Sequence, residues 1–363
     1  MLFNGSMKVS HALNAERQAA QVLEDFLARL PDFTITHLDR VGQSGKPDDG
    51  ADLIVQGRFS GRPLRLAVQV KANGQPRAVQ QAADDLRRYL SRHPGDAAPV
   101  VMAPYLSPQA RDVCRREQVG YLDFMGNALI AFDTVYIERE VPGRPEAERR
   151  ALRSLYKPKS ARILRRLLRE PGRSWRTAEL ADAAAVSTGL VSTVGTALRE
   201  RGWAEQTEQG LVLTDPNALL DSWGEDYEPP KGQEVRRYTT LHGKALGEQL
   251  KRLVGAEGRV ALASFTAADW LAPYARHPNS YFYADEAGLA RLEDLLELSE
   301  ATKGANVTIV VPEEEGVLDD AVRTADNLVV TSPVQTYLDL LQTGDRGREA
   351  ADVLRQRLLE WPE

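Results

Sequence analysis

Between Ser160 and Thr214 the chain spells out three helices and a hairpin in an order that few folds accommodate. Ser160–Arg169 carries Ile163, Leu164, Leu167 and Leu168, a spacing that puts all four on one helix face. Glu170-Pro-Gly-Arg173 closes this helix, and Trp175 leads into a short alanine-rich helix over Thr177–Ala184. A turn at Ala185-Val186 follows, and Ser187 then caps a third helix running to Gly202. That helix turns Leu190, Val191, Val194 and Leu198 inward and presents Ser187, Thr188, Ser192, Thr193 and Thr196 to the outside. Residues 203–214 read as two short strands turning near Glu208–Gly210.

Charge is concentrated in the same place. The 363-residue chain has a net charge of −6, but it is unevenly spread. Residues 1–143 hold 17 basic and 17 acidic side chains, whereas residues 144–201 hold 14 and 6, a net of +8. Residues 202–363 hold 15 and 29, a net of −14. A short basic segment between neutral and acidic neighbours is the footprint expected of a DNA-binding module, although a solvated helix pair would leave the same mark. The pattern of Leu180-Ala181, Val186-Ser187 and Val191 resembles winged-helix bacterial regulators over about 55 residues. That resemblance implies a recognition helix whose small hydroxyl residues Ser187, Thr188, Ser192, Thr193 and Thr196 reach phosphates and base edges. Arg173, Arg176, Arg199 and Arg201 would then supply the charge, because Glu205 and Glu208 in the wing repel phosphate. The basic lead-in of Arg149, Arg150, Arg153, Lys157, Lys159 and Arg162 would track the DNA backbone. Winged helices also serve as dimerisation and protein-docking modules, and that alternative stays open.

The N-terminal part reads as a separate α/β domain. An amphipathic helix over Ser10–Leu30 stops at Pro31. A hairpin follows, in which Leu64, Leu66, Val68 and Val70 alternate with Arg65, Ala67, Gln69 and Lys71. A two-residue turn at Ser60-Gly61 sets Asp52 opposite Gln69, with Lys71 on the same face. Helices over Gln75–Ser91 and Pro108–Glu117, a strand at Pro99–Ala103 and two strands at about 120–132 and 135–139 complete the domain. An acid, a second oxygen ligand and a lysine are the parts needed to hold Mg²⁺ and stabilise a charged phosphate. With Glu16 on the preceding helix, the Asp52…Gln69-x-Lys71 set resembles the PD-(D/E)XK nucleases, in particular their Mrr-like and Holliday-junction-resolvase branches. The resemblance implies that Asp52 and Glu16 bind metal, Gln69 positions it and Lys71 neutralises charge. A neutral amide at Gln69 holds a divalent ion more weakly than a carboxylate, so the domain reads more as a scaffold than as an enzyme. An amphipathic hairpin with a solvated polar face is the simpler alternative.

Two further stretches, Ala103-Pro-Tyr-Leu-Ser-Pro-Gln-Ala-Arg with Gly120-Tyr-Leu-Asp-Phe-Met-Gly-Asn127, and Thr331-Ser-Pro-Val-Gln-Thr-Tyr-Leu-Asp-Leu-Leu-Gln with Gly344–Ala351, resemble AbiEi-like type IV antitoxin regulators. The function implied is a winged-helix repressor, often acting on its own operon. The winged helix stands mid-chain here, whereas better-known members carry it at the N-terminus.

The remaining limits are compositional. Cys114 is alone and the five histidines are scattered, so neither a disulfide framework nor a His/Cys metal site is expected. No apolar run approaches a membrane span, and the start Met1–Lys8 lacks the pattern of a secretory leader, so the cytoplasm is the expected compartment. The reading is thus an α/β multidomain protein. Residues 1–143 form a restriction-endonuclease-like domain, 144–225 a winged helix-turn-helix, and 226–363 an acidic α/β partner or sensor domain. Double-stranded DNA is the expected partner, with a homodimer or protein contact through the acidic domain and no cofactor beyond Mg²⁺ in an active nuclease. A Mg²⁺-dependent DNA endonuclease and a protein-interaction scaffold are the alternatives.

Overall fold

The computed structural model describes residues 3–40, 50–93, 95–132, 135–253, 258–274, 277–301 and 303–361, with side chains from Ala15 onward except that of residue 244. Met1, Leu2 and the side chain of Leu13 on the first helix therefore lie outside the described residues. The protein is mixed α/β. Its backbone contacts divide it into two compact units, one up to Arg149 with Leu198–Gly202, the other Arg150–Ala197 with the chain from Trp203 onward.

The first unit opens with α1 (Phe3–Leu27) and then builds a seven-stranded sheet. Its strands are β1 (Phe33–Arg40), β2 (Leu53–Phe59), β3 (Arg62–Val70), β4 (Ala97–Ala103), β5 (Gly120–Asp123), β6 (Ala128–Phe132) and β7 (Val135–Arg139), in that order across the sheet. α2 (Pro76–Arg92) and α3 (Pro108–Arg116) are the crossovers that make β3, β4 and β5 parallel, while the remaining neighbours are antiparallel. β2 and β3 pair with Leu53 opposite Val68 and Phe59 opposite Arg62, the register the Ser60-Gly61 turn requires. Both turn residues are left-handed, φ 47° and 81°, as a two-residue hairpin of matching twist demands. Alternation then sorts the side chains: Leu64, Leu66, Val68 and Val70 join Ala19, Ala20, Leu23 and Leu27 of α1 in one core. Ala67 and Ile54 join Val79, Leu86 and Ala110 of α2 and α3 in the other. The stretch expected as one strand over 120–132 is two, because Asp123–Asn127 turns back with Gly126 at φ 95°.

Two helices lead from the first unit into the second. α4 (Glu146–Leu155) ends and α5 (Pro158–Arg169) begins with proline at its first turn, where no amide hydrogen is missed. α6 (Thr177–Ala183), α7 (Thr188–Glu200), β8 (Ala204–Gln206) and β9 (Leu211–Leu213) follow, the two strands pairing antiparallel. Trp175 extends this small sheet by exchanging two backbone hydrogen bonds of 2.9 Å with Leu211. Gly210 makes that approach feasible, since a Cβ there would stand 2.3 Å from the Trp175 carbonyl.

α8 (Pro216–Glu225) leads into a second seven-stranded sheet. Its elements in chain order are β10 (Gly232–Tyr238), α9 (Gly243–Lys251), β11 (Val260–Leu262), α10 (Ser264–Leu271), β12 (Ser280–Ala284), α11 (Glu286–Leu295), β13 (Ser299–Glu300), β14 (Val307–Pro312), α12 (Gly316–Asp319), β15 (Val322–Arg323) and β16 (Val329–Val330). α13 (Pro333–Leu341) and α14 (Asp345–Leu358) close the chain. The strand order is β13-β10-β14-β12-β11-β16-β15, with β12–β14 and β11–β16 parallel. Phe282, Ile309, Leu292 and Val330 fill one face, and Tyr283, Ala261 and Val317 the other. The Tyr337-Leu-Asp-Leu-Leu341 stretch is helical, with Tyr337, Leu338 and Leu340 buried.

Candidate nucleic-acid interface

The surface that could meet DNA is built from α5 to β9. α6 ends at Ala183 with Ala184 as its C-cap, and Ala185 takes a left-handed φ of 51°, a conformation that costs a non-glycine residue about 1 kcal/mol. The Val186 amide donates back to the Ala181 carbonyl at 2.9 Å, so the chain reverses within two residues and enters α7. The Ser187 hydroxyl accepts from the Leu190 amide, capping that helix as its position predicts. Val191, Val194 and Leu198 are buried, while Ser187, Thr188, Ser192, Thr193 and Thr196 are exposed. The Ser192, Thr193 and Thr196 hydroxyls each donate to the carbonyl four residues back, at 3.0, 3.0 and 2.9 Å. Their hydrogens are thereby satisfied within the helix, and the exposed Ser192 and Thr193 oxygens face outward as acceptors. Five small polar side chains on one face let a helix lie deep in a groove.

The arginines expected beside them divide. Arg176 is exposed at the start of α6. Arg173 is held by Glu170 at 2.8 Å and by Glu179, and its guanidinium lies 3.8 Å over the Trp175 ring. Arg199 is half-buried. Arg201 does not reach the surface: it is 7% exposed and bonds Glu148 at 2.9 Å, so a phosphate would have to break a buried ion pair to use it. Glu205 and Glu208 are exposed on and after β8.

Arg162, expected to track the DNA backbone, instead belongs to an internal contact. Its guanidinium meets Glu314 through Nε at 3.2 Å and Asp319 through Nη1 at 3.0 Å. Gly316 permits this, because a Cβ there would lie 2.8 Å from Arg162 Nε. Arg165, 4% exposed, gives Nη1 to the Gln335 carbonyl oxygen at 3.1 Å. Arg165, Arg166 and Arg169 surround the buried Asp320 carboxylate at 3.8, 3.9 and 3.7 Å. Gln335 continues inward: its amide donates to Asp339 at 2.9 Å and to the Tyr227 hydroxyl at 2.7 Å. Tyr227 and Tyr283 donate to the same Asp339 oxygen at 2.6 and 3.1 Å. Burial nonetheless pushes the Asp339 carboxyl up to about 6, against the pull of these donors and of Arg165. Sequence reading singled out none of Arg165, Asp320 and Tyr227, and held Gln335 and Asp339 only as part of the Thr331–Gln342 stretch. The other signal that pointed here was a +8 block beside a −14 block in the same chain.

The hairpin residues of the first unit also come together, in part. Asp52 accepts from Gln69 Nε2 at 2.9 Å and from the Val70 amide at 2.6 Å. Lys71 points to Asp85 of α2, at 3.1 Å. Glu16 rides on α1, whose core residues pack on the opposite face of β3 from Gln69. Among the described residues no group of three or more His, Cys, Asp or Glu side chains is placed to hold a metal ion. The donor set does not fit Mg²⁺, which takes oxygen ligands in near-octahedral array. Asp52 Oδ2 already receives two hydrogen bonds, the neighbouring Gln69 amide turns its nitrogen toward it, and the Asp85 carboxylate beside Lys71 is engaged by that ammonium. The Gly120–Asn127 motif is a structural fastening: Asp123 is fully buried and accepts from the Leu106 and Asn127 amides and from Asn127 Nδ2.

Residues 212–360 match the model of a family described as transcriptional regulator, AbiEi antitoxin, type IV toxin–antitoxin system. Over this stretch the chain is similar to that family of regulators. The match covers less than half of the chain, takes in the Thr331–Ala351 stretch and begins inside β9. The Ala103–Asn127 stretch lies outside it. No curated protein matches the chain. The solved apo structure of EndoMS shares 19% identity with it over 29% of this chain, at a TM-score of 0.21. The chain spans 45% of that protein's length. No helix among the described residues is long and apolar enough to cross a membrane.

Proposed function

We propose that the protein is a transcriptional regulator that binds duplex DNA through a winged helix-turn-helix within residues 144–225, with α7 as its recognition helix. The observation that carries this reading is the α7 surface: one face packed on Val191, Val194 and Leu198, the other a row of exposed hydroxyls behind a tight turn. Arg176 and the exposed Lys157 and Lys159 provide phosphate contacts on the same module. The AbiEi-type match of residues 212–360 supports a regulator of a toxin–antitoxin operon, with residues 226–363 acting as partner or sensor domain. Residues 1–143 serve as a nuclease-like scaffold in which Asp52 and Gln69 fasten a strand end.

Fluorescence anisotropy of the full chain with labelled duplexes from its own operon, and with random duplex, tests the reading. Binding should fall steeply with salt, as counterion release requires, and should be lost in Ser192→Glu. Binding to no duplex at any salt would favour the interaction-scaffold alternative instead. One observation keeps a metal-dependent endonuclease as a second reading: Gln69 Oε1 is buried beside Asp52 without a donor. Plasmid nicking that needs Mg²⁺ or Mn²⁺ and vanishes in Asp52→Asn and Lys71→Ala would put that reading first.

A further inference from the structure

Where α5 faces residues 313–335, the second unit holds a cleft of about 480 Å³. Its size lies within the range of small-molecule sites, roughly 300–1,000 Å³. The walls are flat and largely ring-built. Tyr156 and Trp223 stack nearly parallel, 9° apart with centroids at 5.7 Å. Pro158, Pro229 and Pro230 add three rigid rings, and Val317 closes the apolar side.

The floor carries charge. Arg165 is 4% exposed, lines the cleft, and its Nε has no hydrogen-bond partner. Its Nη1 is spent on a neutral amide, and its nearest carboxylate, Asp320, stands at 3.8 Å and is shared with Arg166 and Arg169. Three guanidiniums thus share one buried carboxylate, so positive charge is in excess at the floor, and burial lowers the Arg165 pKa. Lys157 and Lys231 stand exposed among the lining residues. Glu228 and Glu313 also line the cleft but are exposed and screened by water, and half-buried Asp226 lines it as well, whereas Arg165 is not screened. Glu314 is already engaged by Arg162 and the Gly316 amide.

We infer that this cleft is a binding site for a small planar organic anion, an aromatic ring bearing a carboxylate or comparable acid. The ring lies among the proline and aromatic walls, and the acid adds negative charge where Asp320 alone is shared by Arg165, Arg166 and Arg169. Because the cleft is walled by α5 on one side and by residues 313–335 on the other, its occupant bridges the helix and those residues. The inference goes beyond the DNA-binding reading and does not depend on it.

The test uses the full-length chain and anilinonaphthalene sulfonate, a fluorescent aromatic anion, as probe. One equivalent should bind with quenching of tryptophan emission, be displaced by indole acetate, and resist neutral indole and cationic tryptamine. Arg165→Gln should weaken binding by about tenfold or more, the scale of one charged hydrogen bond. Displacement by indole as effective as by indole acetate would overturn the inference, as would unchanged affinity in Arg165→Gln. If that variant does not fold, the exposed pair Lys157→Gln with Lys231→Gln decides. Binding weakened by about threefold supports the site, and unchanged binding sinks it.

Discussion

α5 and α7 lie one short helix apart in the chain and use their outward faces in opposite ways. α5 is the more basic, yet its arginines turn onto acids about 150 positions later in the chain: Arg162 onto Glu314 and Asp319, and Arg165, Arg166 and Arg169 onto Asp320. α7 bears no charge before Arg199, and its hydroxyl face is left open. Charge in a sequence is therefore not the same as charge at a surface. Part of the +8 of residues 144–201 neutralises part of the −14 that follows, while α7 carries no charge until its last turn.

The largest effect should come from breaking the α5 side. Asp320→Ala leaves Arg165 buried without a nearby anion and should destabilise the fold by about 3–5 kcal/mol, measured by urea unfolding. A loss under about 1 kcal/mol would mean that α5 is not held by this acid. On the α7 side, Thr193→Glu places a carboxylate against phosphate. It should reduce DNA affinity by at least about tenfold with the melting temperature unchanged. A change in stability instead of affinity would make α7 a packing element.

A smaller effect sharpens the α5 side further. The Asp339 carboxyl is raised in the folded state, to about 6, so the native protein binds the proton more tightly than the unfolded chain does. Its contribution is fully present below the unfolded carboxylate range and is lost as pH rises toward about 6. Asp339→Asn should flatten the stability-versus-pH profile between roughly pH 4 and 6. An unchanged slope would show that Tyr227, Tyr283 and Gln335 hold the charged form well enough to cancel burial. The smallest effect belongs to Glu314→Gln. It loosens a half-buried pair with Arg162 and should cost about 1 kcal/mol or less, because Asp319 still receives the guanidinium.

What the sequence disclosed follows the same division. Local rules sufficed where the partner of a residue lies close in the chain. Ser60-Gly61 set the hairpin register, Val191 and Val194 marked the inner face of α7, and Ser107 capped α3, its hydroxyl accepting from Ala110. They failed where the partner is remote. β10 shows no alternation, since Val235 is its one buried residue, yet it pairs along its length with β14. β1 was missed for a similar reason, with no residue of its eight fully buried. Arg201 reads like Arg176, and only the fold reveals that Glu148 claims it. The hydrogen bond of Arg165 to Gln335 spans 170 positions, which no periodicity can report.

The most direct test of this division is the salt dependence of duplex binding, compared between Arg162→Ala and Arg176→Ala. Removing one arginine–phosphate pairing should make the slope of log affinity against log salt shallower by about 0.9. The regulator reading predicts a change of about that size for Arg176→Ala. For Arg162→Ala it predicts an unchanged slope and a lower stability. A slope reduced by Arg162→Ala and untouched by Arg176→Ala would contradict it, and would place α5 rather than the α6–α7 surface on the DNA.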